Sequence, residues 1–156
     1  MAILSNVTLT IEKSTTTPSN VKVTIKYRLT PSRVEQMAGS VYNEEFSLLS
    51  RDWLTLPVEA PVGGENTLTI PSRDSTIVTL RGTPFPVSLA TAYVDRSRTF
   101  MLTKKSLNED PELSASGSEI QDEVLARAKV TYAANQPAGA VAPYPGYSSI
   151  LVGTWV

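Results

Sequence analysis

The chain has 156 residues, 41% of them hydrophobic and 19% charged, with a formal net charge of -1. That length suits one compact core burying roughly two-thirds of the unfolded surface, and the charge is too small to gather nucleic acid or anionic lipid. Cysteine and histidine are both absent, which removes disulfides, sulfur-ligated zinc, thiolate and Ser-His-Asp nucleophiles and imidazole switches.

No apolar run approaches the ~20 residues of a membrane span, and Met1–Asn6 lacks the basic and long apolar regions of a signal peptide. The expected location follows: synthesis in the cytoplasm, with the product either part of a particle or exported by a non-classical route. With Ala2 where myristoylation requires glycine and no cysteine to acylate, no lipid anchor is expected either.

Period-2 alternation dominates the N-terminal third. In Val7–Glu12 and Val21–Thr30 apolar residues fall on odd positions and polar ones on even, so each predicts a strand with one buried face. The polar Ser14–Asn20 between them, with Pro18, joins them as a hairpin. Pro31–Gly39 carries the marks of a short helical turn, with Ser32 to cap, Glu35 three residues on and Gly39 to stop; an irregular crossover between sheets is the other reading.

Strands follow over Val41–Leu49 and Trp53–Leu56, with a corner at Arg51-Asp52 between them, and Pro57–Asn66 reads as loop. Thr67–Ile70, Thr76–Leu80, Val87–Val94 and Arg98–Thr103 are short β-branched or aromatic runs between turn residues. The last long strand is Glu123–Tyr132, with Val124, Ala126, Ala128, Val130 and Tyr132 inward against Arg127, Lys129 and Thr131. Its alanines and Leu125 favour helix by propensity; the alternation favours strand.

Eight to ten strands without a long helix predict an all-β fold, a two-sheet antiparallel β-sandwich of immunoglobulin-like or jelly-roll type with an extended Pro/Gly-rich C-terminal arm ending in a strand. Residues 1–133 form the sandwich in this reading. Residues 134–156 form the arm and terminal strand, either part of the same domain or exchanged with a neighbour. The run Lys105-Ser106-Leu107-Asn108-Glu109-Asp110-Pro111-Glu112-Leu113, followed by Asp122–Thr131, resembles a loose group of small uncharacterised bacterial Ig-like or β-sandwich proteins, with a weaker echo in Val23–Asp52. The resemblance implies the sandwich fold and brings no activity and no site residues.

Carboxylates concentrate at Glu109, Asp110, Glu112, Glu119, Asp122 and Glu123. Of these Asp110, Glu112 and Asp122 are candidate oxygen ligands for Ca²⁺; a solvated acidic loop is the competing reading, and no cofactor is required. Glu44 and Glu45 would serve glycoside hydrolysis only if they converged, and neighbours in a regular strand face opposite ways. The prediction is therefore a non-enzyme. Trp53 and Tyr93 read as core, whereas Tyr144 and Tyr147 lie among prolines and glycines with no core in view. Lys22, Lys26 and Arg28 share one strand face and read as protection of a sheet edge. Arg96, Arg98, Lys104 and Lys105 are too few for a nucleic-acid footprint.

The arm from Ala133 to Tyr147 holds Pro137, Pro143, Pro145, Gly139 and Gly146 and could span roughly 40 Å if extended. A strand-like run from Ser148 to Val156 follows. Tyr144, Tyr147, Ile150, Leu151, Val152 and Trp155 are thus the candidate assembly residues, and Ile3-Leu4 a second contact. The expected function is a non-enzymatic structural or self-assembling subunit of a filament, tail-like particle, capsid decoration or surface assembly, as a homo-oligomer. The alternative is a binding or adhesion module for carbohydrate or protein, with calcium as a candidate helper. Neither reading involves nucleic acid or membrane insertion.

Overall fold

A computed structural model describes residues 1–52, 72–107 and 122–153. These residues fold into two antiparallel sheets. The first contains β1 (Ile3–Lys13), β2 (Asn20–Thr30) and β6 (Val94–Thr103) in the order β1-β2-β6. The second is built on β3 (Val41–Asp52), with β4 (Ser72–Arg81) on one side and β7 (Asp122–Ala134) on the other. Two-residue β5 (Phe85–Pro86) extends the β4 side, and β8 (Gly146–Tyr147) and β9 (Leu151–Gly153) run along the outer edge of β7. The arrangement is that of a β-sandwich.

Side-chain alternation produces this layout directly. In β2 the odd residues Val21, Val23, Ile25, Tyr27 and Leu29 are buried while Lys22, Lys26 and Thr30 are exposed, as the pattern predicts. Across the interior they meet Tyr42, Phe46 and Leu48 of β3 and Val124, Ala126, Ala128 and Val130 of β7. The period-2 pattern of β7 overrides its alanine content because β7 is hydrogen-bonded along both edges, to β3 on one side and β8 and β9 on the other; a helix would forfeit all of those bonds.

The hairpin β1-β2 forms as expected, with one feature the alternation hid. Ser5 opposes Arg28 and Thr8 opposes Lys26, so Asn6 and Val7 together face Tyr27, a β-bulge. Asn6 adopts a left-handed φ of 52°, which asparagine tolerates better than most residues. The bulge shifts the phase of the strand, so that Leu4 before it and Val7, Leu9 and Ile11 after it all pack on the core.

Four expectations are corrected. The face bearing Lys22, Lys26 and Arg28 belongs to the central strand of its sheet, not to an edge; Lys22 lies 3.3 Å from Glu12 and Arg28 2.7 Å from Asp95, so cross-strand pairing accounts for two of these cations. Arg51 and Asp52 continue β3 rather than turning a corner. The predicted strand Val87–Val94 is instead a turn in which Ser88 and Thr91 hydrogen-bond to one another, the local bonds taking the place of a partner strand; strand structure resumes only at Val94. Tyr93 is 51% exposed with the Arg28 guanidinium 3.9 Å from its ring centroid. Trp53–Leu56, Pro57–Asn66 and Thr67–Ile70 lie outside the described residues.

The short helix α1 (Arg33–Ala38) appears where Ser32, Glu35 and Gly39 predict it. Glu35 accepts the Ser32 backbone N–H at 2.7 Å, and Gly39, at φ 61°, closes the helix while Ser40 N–H reaches the Glu35 carbonyl. Glu35 does more than cap. It is 1% exposed and also accepts the Ala2 backbone N–H at 3.0 Å and the Tyr132 hydroxyl. One carboxylate thereby ties the N-terminal segment, the helix and β7 together.

Burial alone would push the Glu35 carboxyl up, but the hydrogen bonds from Ser32, Tyr132 and Ala2 outweigh it and hold the group at about 2, below its ordinary 4.5. A carboxylate depressed in the folded state stabilises the fold above its unfolded pKa, and that contribution fades as pH falls from about 4.5 to about 2. Glu35→Gln is expected to cost on the order of 2–3 kcal/mol at neutral pH. The difference from the parent should shrink toward zero near the bottom of that window, measured by denaturant unfolding at a series of pH values.

Candidate functional site

The arm leaves β7 at Ala134 and doubles back along it. Its turn is closed locally, with Ala140 N–H to Pro137 O and the Gln136 side-chain amide to Ala140 O. Asn135, at φ 53°, donates its side-chain amide to Gly39 O and accepts Ser40 Oγ on its carbonyl. Pro143 is buried. Gly146 and Tyr147 then pair with Ala128 and Arg127, and Leu151, Val152 and Gly153 with Val124, Glu123 and Asp122.

Between these two pairings the arm has three residues and β7 two, so the ladder is broken by a bulge. Ser148 bridges the gap in both directions: its backbone N–H donates to Ala126 O and its hydroxyl accepts from Ala126 N–H, each at 2.9 Å. The arm also lies against β1. A Cβ on Gly146 would sit 2.6 Å from Val7 Cγ2 and 3.6 Å from Leu4 Cβ, so only a residue without a side chain lets backbone and strand approach this closely.

The candidate assembly residues divide by this geometry. Leu151 packs against the core and Ile150 is half-buried. Tyr144, Tyr147 and Val152 face solvent, Tyr144 at 81% exposure. Trp155 lies outside the described residues. In the second contact, Leu4 packs on the core and Ile3 is exposed. Of the three candidate calcium ligands, Asp110 and Glu112 lie outside the described residues, and Asp122 sits at the start of β7 opposite Gly153. Among the described residues no group of three or more carboxylates gathers to hold a metal.

Glu44 and Glu45 diverge as strand geometry requires, and each heads a cluster that the sequence pattern did not announce. Glu44 points between the sheets. It accepts the Tyr27 hydroxyl at 2.7 Å and both Nε and Nη2 of Arg96, the Nε bond being 3.0 Å. The Arg96 guanidinium also lies 4.5 Å from the centroid of the Phe85 ring. Burial first, then the adjacent Glu44, pushes the Tyr27 hydroxyl well above its ordinary range, and the Glu44 hydrogen bond raises Arg96. Gly82 donates its N–H to Glu44 O, and a Cβ there would meet Glu44 Oε1 at 2.0 Å. The only signal in the sequence was polar Glu44 at an inward, even-numbered position of a strand whose other inward residues are Tyr42, Phe46 and Leu48.

Glu45 faces outward. Its carboxylate lies 3.9 Å from Arg81 Nε and 3.6 Å from Arg127 Nη2, and Arg127 also donates to Ser47 Oγ at 3.3 Å. Arg81, Glu45 and Lys129 stand in one row across β4, β3 and β7, with Asn43 and Thr131 side by side two residues along. Together with Glu44 and Gly82 they line a cleft of about 290 Å³ on the outer face of the second sheet.

No protein-family model matches the chain, and no curated protein matches it in sequence. Among the described residues no helix is long and apolar enough to cross a membrane.

Two variants check this geometry. Glu44→Ala should cost about 2–3 kcal/mol in chemical denaturation, because it leaves Arg96 and the Tyr27 hydroxyl partly buried without their acceptor. Gly146→Ala should cost on the order of 1–3 kcal/mol through the overlap with Val7; pairing it with Val7→Ala should recover part of that loss if the contact is the cause.

Proposed function

We propose that this chain is a non-enzymatic structural subunit that assembles with copies of itself through its C-terminal arm. The observation that carries the reading is how the arm is held: a two-residue strand and a three-residue strand, separated by a bulge, on the edge of a thirteen-residue strand. So short a ladder, reached through a segment rich in proline and glycine, can be surrendered by one copy and remade by another with the same main-chain bonds. Leu151 would refill the same core position in the neighbour. Tyr144, Tyr147 and Val152, exposed along the arm, give an exchanged arm apolar surface to bury between subunits.

The sandwich resembles immunoglobulin-like and jelly-roll domains in having two packed antiparallel sheets, an architecture that serves structural subunits as readily as adhesion modules. A binding module is the second reading, supported by the cleft on the outer face of the second sheet.

Register gives a sharp test. Glu123 and Val152 are Cα partners, and the natural chain has no cysteine, so Glu123→Cys with Val152→Cys places a single bridge across the arm contact. Oxidation of concentrated protein should give covalent multimers on a non-reducing gel, diminishing when the protein is diluted before oxidation. Light scattering coupled to size exclusion should show assemblies of the parent that a chain ending at Tyr147 no longer forms while keeping a β-type circular dichroism spectrum. Exclusively intrachain bridges, together with a monomeric parent, would overturn the proposal.

A further inference from the structure

The cleft is lined by Arg81 and Lys129 and by two carboxylates, Glu44, which Arg96 already holds, and Glu45, which is shared with Arg127 from beside the cleft. Arg81 and Arg127 share Glu45 at 3.9 and 3.6 Å, beyond hydrogen-bonding range. Among the described residues Lys129 has no acidic partner, although it stands directly across from Glu45. Cross-strand neutralisation, the ordinary use of such a row, is therefore incomplete by two positive charges. The two cations that line the cleft are also available: the Arg81 side chain is 86% exposed and Lys129 is exposed.

The neighbouring row changes what kind of anion fits. Asn43 and Thr131 offer an amide and a hydroxyl that donate and accept, set two residues along the same pleated face and lining the same cleft. A volume of about 290 Å³ matches the small end of ligand pockets. The geometry points to a binding site for a small hydroxylated anion, a sugar acid or sugar phosphate, whose acid group sits between Arg81 and Lys129 and whose hydroxyls meet Asn43 and Thr131. Glu45 is then the resident anion with which the ligand competes for the arginines. The site is built from β3, β4 and β7 and does not depend on arm exchange.

The test is a titration of the isotope-labelled full chain, at low salt, followed by amide chemical shifts. The probes are glucuronate, glucose 6-phosphate, neutral glucose and inorganic phosphate. Saturable shifts at Asn43, Glu45, Arg81, Lys129 and Thr131 are expected for the two acidic sugars, the tighter of them naming the acid group. Glucose and inorganic phosphate should bind about tenfold more weakly or not at all.

Arg81→Gln combined with Lys129→Gln should weaken the acidic sugars about tenfold or more, and these exposed positions leave the folded spectrum intact as a control. Glu45→Gln should tighten binding a few-fold by removing the internal competitor. Absence of saturable shifts with either acidic sugar overturns the proposal, as does an equal response to glucose or to inorganic phosphate. Binding that persists unchanged in the double variant, or is lost in Glu45→Gln, overturns it as well.

Discussion

The two sheets are locked face to face by a polar bond rather than by apolar contact alone. Glu44 of β3 reaches Tyr27 of β2 and Arg96 of β6, so one carboxylate in the second sheet is satisfied only when the first sheet stands in a single register above it. Apolar side chains such as Val23 and Leu48 tolerate a sliding neighbour because dispersion and burial are non-directional. A buried carboxylate does not, since any slip leaves a charge unpaired. The absence of a side chain at Gly82 and the position of the Phe85 ring beside Arg96 both follow from making room for this bond.

With the sheets fixed, edges become the remaining problem. β1 carries the bulge at Asn6-Val7, β6 turns Arg96 inward, and β4 is interrupted by two register shifts; all are devices that discourage open-ended pairing. The outer edge of β7 lacks such a device of its own. The arm covers it instead, through β8 and β9. The covering is itself short and bulged, the feature on which the proposed exchange of arms rests.

The outer face of the second sheet shows a different balance. β3 places Glu44 inward on Arg96 and Glu45 outward toward Arg81 and Arg127, so the same backbone step that rules out a convergent carboxylate pair gives each its own cations. Arg81, Arg127 and Lys129 arrive from strands on either side.

Much of the architecture was legible because alternation is a local signal: a residue's parity tells which face it takes, and β1, β2 and β7 announce themselves this way, while β3 and β4 showed only as strand-like runs. The helical turn was legible for a similar reason, since Ser32, Glu35 and Gly39 act within one turn. Order within the sheets was not legible, and the cations of β2 suggested an edge when the strand is central. The arm residues were found from composition, but Leu151 and Tyr147 look alike in sequence and only the fold sends one to the core and the other to solvent.

What the sequence by itself determined is therefore the buried faces of the alternating strands β1, β2 and β7, and the exclusion of chemistry that needs cysteine or histidine. What only the tertiary structure decided is which distant residues meet: Glu44 with Arg96, Glu35 with Ala2 and Tyr132, Gly146 with Val7, and Glu45 with its cations. The physical reason is that parity is written in each strand's own period, whereas pairing across sheets depends on registers and crossings that are fixed collectively, once every strand has buried its apolar face.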